Sequence, residues 1–289
     1  MNEIVAEGLE VPEGPVVLPD GRIAFVQQLL GEVSVFDGTR VERLAYVGGA
    51  ANAVTLGTDG LYAAQNGGVV NAWRSDDPRP PGIQRVTLDG QVDSIRTTVA
   101  GEPLRAPNDL VFGPDGRLWF TDPGHGYDPV ARGANSRILA IGEGADEIVA
   151  DVGPAYSNGI AFGIDGRPYW VESYERTVRV LGDDGPETIC TLPEHHIPDG
   201  FAVAADGRLF IATVTSAGIT VVASSGVVLQ TIHLDETAFP TNCCFDGSAL
   251  WITDFGRDHE RVPRSGRLWR IETDAVGAPL VPGSVAPPP

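Results

Sequence analysis

The sequence contains no lysine, and all 20 of its basic residues are arginine. Schiff-base catalysis and the phosphate-binding P-loop both need an amine side chain, so neither chemistry is available to this chain. The Gly-x-Ser-x-Gly motif that carries the nucleophile of many serine hydrolases is absent too. We therefore expect no catalytic triad of that kind.

Cysteine is nearly as scarce, with Cys190, Cys243 and Cys244 as the three examples. None has the C-x-x-C spacing, so we expect neither a disulfide framework nor a cysteine zinc site. This pattern favours a reducing, cytoplasmic setting. No stretch approaches about 18 consecutive apolar residues, and the first twelve residues carry no apolar run. The sequence therefore predicts no membrane span, anchor or signal peptide.

Basic residues are fewer than acidic ones, 20 against 39, so the formal net charge is −19 at pH 7. Such a surface repels the phosphates of nucleic acids, which argues against a nucleic-acid partner. We expect a small-molecule substrate as the partner, and the oligomeric state stays open.

One phrase recurs six times: a polar residue, an apolar strand, an Asp-Gly turn and a second apolar strand. The turn glycines are 39 to 56 residues apart, the period expected of four-stranded propeller blades. Asp-Gly between two apolar runs predicts a β-hairpin. The copies are EGPVVLPDGRIAFVQ from Glu13, NAVTLGTDGLYAAQN from Asn52, NDLVFGPDGRLWFTD from Asn108, NGIAFGIDGRPYWVE from Asn158, DGFAVAADGRLFIAT from Asp199 and NCCFDGSALWITD from Asn242.

We therefore predict an all-β fold, a six-bladed β-propeller with four-stranded antiparallel blades, as one domain over residues 1–289. The sixth blade lacks an outer strand, since its third strand, GRLWRIE from Gly266, leads into a proline-rich tail over residues 275–289. We expect residues 3–8 to supply that strand and close the ring. Pairing of Ala275 to Val281 at the same edge is the alternative.

The polar residues that open the repeats predict a ring. Inner strands line the tunnel of a propeller, so equivalent positions converge at one mouth. Glu13 and Asp199 are carboxylates, and the other four members are asparagines. Carboxylates buried close to one axis repel each other unless a cation compensates them. A hard divalent ion with oxygen ligands, Ca²⁺ in the first place, suits this set. The alternative is that these residues cap strand ends or bind tunnel water.

The second strand of each hairpin returns to the same mouth, and the loops that follow several of these strands are long enough to be lids or binding loops. We take Trp73, His125 and Tyr127 in these loops as candidate substrate contacts, together with Arg105, which precedes Asn108 by three residues. A solvated or merely packing role is the alternative for each, as it is for His195 and His196. The hairpin geometry also predicts a second polar set at this mouth, formed by Gln27, Asn66, Asp122, Glu172, Thr213 and Asp254.

Five ordered motifs resemble the senescence marker protein and gluconolactonase family, which includes regucalcin-like lactonases. Together they cover essentially the whole chain. They are EGPV at Glu13, RAPNDLVFGPDGRLWFTDPGHG from Arg105, SNGIAF at Ser157, PDGF at Pro198 and PTNCCF at Pro240.

The resemblance implies that Glu13, Asn158 and Asp199 hold a metal, with Asn108 as a fourth ligand or a substrate contact. It also implies that Asp199 acts as a general base. Family members are reported with Ca²⁺, Zn²⁺, Mn²⁺, Mg²⁺ or iron, so the resemblance leaves the ion open. The sequence departs from animal members after Asn108, and their acidic substrate contact has no match here.

These features favour the metal-dependent hydrolysis of a small lactone, an aldonolactone in the first place. The first alternative is a metal-dependent hydrolase of another ester, such as a phosphotriester or a bulkier lactone. The second is a non-enzymatic propeller that serves as a binding platform, since a fold does not fix a function.

Overall fold

Six four-stranded antiparallel sheets form the ring of the computed structural model, which describes residues 2–69, 74–144, 146–259 and 264–286. The six-bladed β-propeller predicted from the sequence is confirmed. The described residues include no helix that is long and apolar enough to cross a membrane.

The chain begins with β1 (Asn2–Leu9), which belongs to the last blade, and then builds the blades in order from the tunnel outward. Blade one is β2 (Pro12–Val17), β3 (Ile23–Gln27), β4 (Glu32–Phe36) and β5 (Val41–Tyr46), and blade two is β6 (Ala51–Leu56), β7 (Leu61–Gln65), β8 (Gly82–Val86) and β9 (Val92–Arg96). A short hairpin of β10 (Thr98–Val99) and β11 (Glu102–Pro103) leads to blade three, which is β12 (Leu110–Phe112), β13 (Leu118–Asp122), β14 (Arg137–Ile141) and β15 (Glu147–Asp151).

The second half of the chain repeats this pattern. Blade four is β16 (Ser157–Phe162), β17 (Pro168–Glu172), β18 (Thr177–Gly182) and β19 (Gly185–Thr191), and blade five is β20 (Pro198–Val203), β21 (Leu209–Thr213), β22 (Gly218–Val222) and β23 (Val228–His233). Blade six is β24 (Pro240–Asp246), β25 (Ala249–Asp254) and β26 (Gly266–Glu272), with β1 as its fourth strand.

Burial falls from the second strand of a blade to its outer strand. Every residue of β3, β13 and β21 is buried, whereas the outer strands β15 and β19 contain no buried residue. Each blade packs between two others, so its inner strands are covered on both faces and read as continuous apolar runs. Between blades three and four, for example, Trp119 packs with the fully buried Trp170.

The tunnel has two ends that differ in construction. All inner strands begin at one end, which we call the upper mouth, and the loops after each second strand lie there too. The Asp-Gly turns lie at the opposite end, the lower mouth. The long loops that carry the candidate substrate contacts therefore lie at the upper mouth.

The first strand closes the ring. Residues of β1 pair antiparallel with β26, from Asn2 opposite Ile271 to Leu9 opposite Gly266. The tail does not form this outer strand. Instead it crosses the lower mouth, where Gly277 N–H donates to Gly247 O at 3.0 Å and Thr58 N–H donates to Gly283 O at 2.7 Å.

Candidate metal centre and substrate mouth

Irregularities in the inner strands expose the ring residues to the tunnel. Register shifts fall at Glu13 in β2, across Asn158 in β16 and across Asp199 in β20. A bulge leaves the extra residue without a partner in the ladder and can redirect its side chain. In blade three the ladder starts only at Leu110, so Asn108 precedes it. An irregular strand register thus recurs at the polar residues that open the repeats.

Glycine after the ring residue lets neighbouring inner strands approach each other closely. A Cβ on Gly14, whose φ is +51°, would lie 2.3 Å from the Cα of Ala53 in the next blade. A Cβ on Gly200 would lie 2.0 Å from the Cγ of Asn242. Any larger residue at Gly14 or Gly200 would push neighbouring blades apart. The pairs Glu13-Gly14 and Asp199-Gly200 therefore allow the propeller to close, and they also supply the carboxylates of the candidate site.

Two predicted ligands, the buried Glu13 and the half-buried Asp199, belong to one like-charge cluster. Burial raises the pKa of Glu13 well above its usual range, and the carboxylates of Asp199 and Asp109 raise it further. Burial also raises the pKa of Asp199, to which Asn158 donates a hydrogen bond. Among the described residues none forms an ion pair with any of these three carboxylates. Their mutual repulsion would be relieved by a bound cation.

Asp109 is the member of this cluster that the sequence analysis missed. Its Oδ1 accepts a hydrogen bond from Leu110 N–H at 2.8 Å, and its Oδ2 accepts from Asn242 Nδ2 at 3.3 Å and from Ile160 N–H at 3.4 Å. Burial raises the pKa of Asp109 to about 6. A signal was present, because the residue after the ring position is Gly, Ala or Cys in the other five repeats and is acidic only here.

The remaining ring amides fall into two groups. Asn52 accepts a hydrogen bond from Gln28 Nε2 at 2.9 Å, and Asn242 donates to both Glu13 and Asp109. The buried Oδ1 of Asn108, by contrast, has no partner. Buried polar atoms are nearly always hydrogen-bonded, so an acceptor left in this state suits a cation or a ligand donor.

The donor set fits a hard divalent ion. It combines the carboxylates of Glu13 and Asp199 with the amide oxygens of Asn158 and Asn108, which are oxygen ligands of the kind that Ca²⁺ takes. Across the described ranges, no three His, Cys, Asp or Glu side chains are grouped so that they could hold a metal ion. A site here would therefore depend on amide oxygens as well as on carboxylates.

The acidic members of the second polar set predicted at the upper mouth form ion pairs within their own blades. Asp122 accepts from the Arg137 guanidinium, and Glu172 accepts from Arg179 Nη1 at 3.2 Å. Each acidic side chain at the end of a second strand is paired with an arginine on the third strand of the same blade. Asp254 repeats the arrangement with Arg267 in blade six. These carboxylates are already neutralised, which separates them from the ring.

An aromatic cluster stands beside the carboxylates at the upper mouth. Tyr127 contacts Tyr156 and Tyr174 with ring centroids 5.2 Å apart in both cases, and His125 lies 5.9 Å from Tyr156. Burial raises the pKa of Tyr156, and the carboxylate of Asp199 is the next cause. Two of the predicted substrate contacts, His125 and Tyr127, are thus near the ring, while the two partner tyrosines were not predicted.

The His125 ring has one nitrogen without a hydrogen-bond partner beside this cluster. Its Nδ1 lies 2.5 Å from Gly126 O, and a carbonyl oxygen only accepts, so the proton is on Nδ1. In the neutral ring Nε2 is then an acceptor, and it is buried without a partner. A substrate hydroxyl could donate to it.

The other predicted contacts are placed less favourably. Arg105 is half-buried, and its Nη1 donates to Asn135 O at 3.2 Å, so the guanidinium is engaged by the loop of blade three. His195 is 82 % exposed at its side chain, and His196 Nδ1 lies 2.9 Å from Thr220 Oγ1. Trp73 lies outside the described residues.

Comparison with known proteins points to one family. Residues 11–256 match the model of the SMP-30/gluconolactonase/LRE-like region. A gluconolactonase from Zymomonas mobilis is 26 % identical over 227 residues, which are 70 % of this chain and 60 % of that protein. The chain therefore spans less than two thirds of this relative.

Solved structures share the fold. A gluconolactonase from Xanthomonas campestris is 24 % identical, with a TM-score of 0.74 over 94 % of this chain and 89 % of that one. Regucalcin from Agrobacterium tumefaciens, described as a calcium-binding protein, is 16 % identical with a TM-score of 0.76 over 98 % and 97 %. At these identities the likeness shows the fold alone.

Proposed function

Because the chain belongs to the SMP-30/gluconolactonase/LRE-like family, we propose that it hydrolyses a small lactone with the help of one divalent metal ion at the upper mouth. The observation that carries this proposal is the group of three carboxylates formed by the buried Glu13 and Asp109 and the half-buried Asp199, to which no described residue offers an ion pair. The gluconolactonase from Zymomonas mobilis supports the choice of lactones, and within this class an aldonolactone is the first candidate.

The proposed ligands are Glu13, Asn158, Asp199 and Asn108, and Ca²⁺ is the first choice of ion. When bound, the ion would polarise the lactone carbonyl and stabilise the negative charge that develops on its oxygen. Asp109 does not need to be a ligand. Asp109 accepts from Asn242, which also donates to Glu13, so Asp109 helps to orient Glu13 through this amide.

Asp199 is the proposed general base. Of the two ring carboxylates, Glu13 is buried and Asp199 is half-buried, so a water molecule at the upper mouth can reach Asp199. The water oxygen attacks the carbonyl carbon while Asp199 takes its proton, and the proton then goes to the ring oxygen as the ring C–O bond breaks. The hydrogen bond from Asn158 fixes the orientation of the base.

A metal-replacement assay tests the proposal. Protein treated with chelator should lose hydrolysis of aldonolactones and regain it with Ca²⁺ or another divalent ion. Glu13→Gln and Asp199→Asn should each weaken ion binding, measured by calorimetry, and lower turnover at saturating metal. Asp206→Asn, at the exposed turn of the Asp199 hairpin, is the control and should change neither quantity. Full turnover in the chelated protein, or in both ring variants, would refute the metal-dependent mechanism. A lack of hydrolysis of every lactone and ester, with or without a divalent ion, would favour the binding platform.

The aromatic cluster favours one second candidate, a bulkier lactone or another ester such as a phosphotriester. Tyr127, which is 43 % exposed, presents its aromatic ring to a ligand at the upper mouth, and it packs against the buried Tyr156 and Tyr174. A panel of hydroxylated lactones, alkyl lactones and a phosphotriester separates the candidates, because a higher kcat/KM for either of the last two classes would replace the aldonolactone assignment.

A further inference from the structure

The arginine side chains of this acidic protein are paired almost without exception. In the part of the chain that the structure describes, only Arg176 and Arg257 have a guanidinium with neither a hydrogen-bond nor an ion-pair partner. Each lies in the loop after the second strand of its blade, and hence at the upper mouth. Arg257 is exposed, so water satisfies it, but Arg176 is only half exposed.

Arg176 is held in a defined position although its charge has no partner. It has a φ of +55°, and its carbonyl oxygen accepts a hydrogen bond from Leu192 N–H at 2.7 Å. Its Nε is buried and unpartnered, whereas its two terminal nitrogens remain accessible. A buried donor without an acceptor is uncommon in a native protein and calls for an explanation.

The chain places Arg176 two residues after Tyr174, a member of the aromatic cluster at the upper mouth. Arg176 and Asp199 both act electrostatically on the phenol of Tyr127, so this tyrosine lies within range of the proposed base and of the arginine. The neighbouring Glu175 does not neutralise Arg176, because it pairs with Arg132. Arg132 in turn lies over the Tyr174 ring, with Cζ 5.4 Å from its centroid.

We propose that Arg176 binds a carboxylate on a substituent of the substrate, so that the preferred substrate is a lactone that carries one negative charge. The lactone carbonyl would then lie at the ring carboxylates, the apolar face of its ring on the tyrosine cluster, and its carboxylate at Arg176. The planar fork of a guanidinium matches the two oxygens of a carboxylate. This specificity rests on the proposed function, whereas the binding of a carboxylate at Arg176 does not require it.

A matched pair of substrates tests the assignment. The 1,4-lactones of glucaric acid and of gluconic acid have the same ring, and the first has a carboxylate where the second has a hydroxymethyl group. Arg176→Gln should lower kcat/KM for the acidic lactone about 10- to 100-fold, the range of a hydrogen bond to a charged group. It should change kcat/KM for the neutral lactone less than about twofold. Arg176→Lys should restore part of the loss, and Arg257→Gln, the exposed and equally unpaired control, should leave both substrates unaffected.

Binding of a ligand that cannot be hydrolysed separates this inference from the proposed function. Cyclohexanecarboxylate should bind wild-type protein more tightly than cyclohexylmethanol, and Arg176→Gln should remove that difference. If this holds while neither lactone is hydrolysed, the carboxylate site stands and the proposed function fails. An equal loss with both lactones, an equal effect of Arg257→Gln, or a preference for a 6-phosphorylated aldonolactone over the acidic lactone would overturn the assignment.

Discussion

The hydroxyl of Tyr62 in blade two forms a hydrogen bond with the tail, and Tyr62→Phe removes it. A tyrosine in blade four serves as the control. Tyr62 is fully buried, and its hydroxyl accepts from Val285 N–H at 2.8 Å and donates to Asp59 Oδ1 at 2.9 Å. Tyr169 occupies the corresponding place in blade four, where its hydroxyl donates to Asp165 Oδ2 at 3.0 Å and accepts from Arg167 Nη2 at 3.5 Å, and no residue of the described tail is hydrogen-bonded to it. The two tyrosines therefore differ chiefly in the bond to Val285.

Tyr62→Phe should lower the free energy of unfolding by about 1 to 3 kcal/mol more than Tyr169→Phe does. Both substitutions remove a bond to a turn aspartate, which costs about 0.5 to 1.5 kcal/mol. Only Tyr62→Phe also leaves the Val285 N–H without its acceptor, and an unsatisfied buried donor costs about 1 to 3 kcal/mol. Val285 itself is 2 % exposed, so water cannot readily replace the lost oxygen.

Equilibrium denaturation of the two variants measures the difference, and hydrogen exchange reports where it arises. In Tyr62→Phe the amide of Val285 should exchange faster, together with that of Thr58, which donates to Gly283 O. Amides of blade four should keep their wild-type rates in that variant. Equal destabilisation by the two substitutions, or unchanged protection of Val285, would show that the tail does not depend on this hydroxyl.

Three further predictions concern the ring. Gly14→Ala should destabilise the protein by several kcal/mol or prevent folding, because the new Cβ would lie 2.3 Å from the Cα of Ala53. Gly21→Ala is the control: its new Cβ has no atom within 4 Å, so it should cost about 1 kcal/mol. Thermal melts of both variants test the difference. In chelated protein, Asp109 should favour the folded state at low pH, because its pKa rises from 3.8 to about 6 on folding. This contribution is complete below about pH 4, is lost as the pH rises through 6, and should disappear in Asp109→Asn when unfolding is measured at pH 5 and pH 8. Saturating Ca²⁺ should raise the melting temperature of wild-type protein and of Asp206→Asn, and an equal rise in Glu13→Gln would place the ion elsewhere.

Much of the fold could be predicted because each repeat contains a turn motif that marks where one strand ends and the next begins. Asp-Gly turns recur in all six copies, and they fix the register of every inner hairpin. The path of the tail could not be predicted in this way. Residues 275–286 have no alternation or period, and their bonds to Gly247 and Thr58 depend on which blade lies beneath each residue.

The site was only partly accessible to the same reasoning. Glu13, Asn158 and Asp199 share one place in the repeat, so their convergence followed from the ring. Asp109 and Arg176 lie outside that pattern, and their importance comes from burial and from missing partners, which only the three-dimensional structure shows. The sequence predicts the acidic residues at the ends of the second strands to lie at this mouth, but it does not show that an arginine of the next strand neutralises them.

The pairing of β1 with β26 affects how the chain is made. Leu9 and Gly266 pair across 257 residues of sequence, and at 5 to 20 residues per second roughly 13 to 50 s pass between their emergence from a ribosome. During that time β1 is a free strand with nothing to pair with. Its exposed Glu3 and Glu7 put negative charge on it, which discourages association with other nascent chains until the last blade can form.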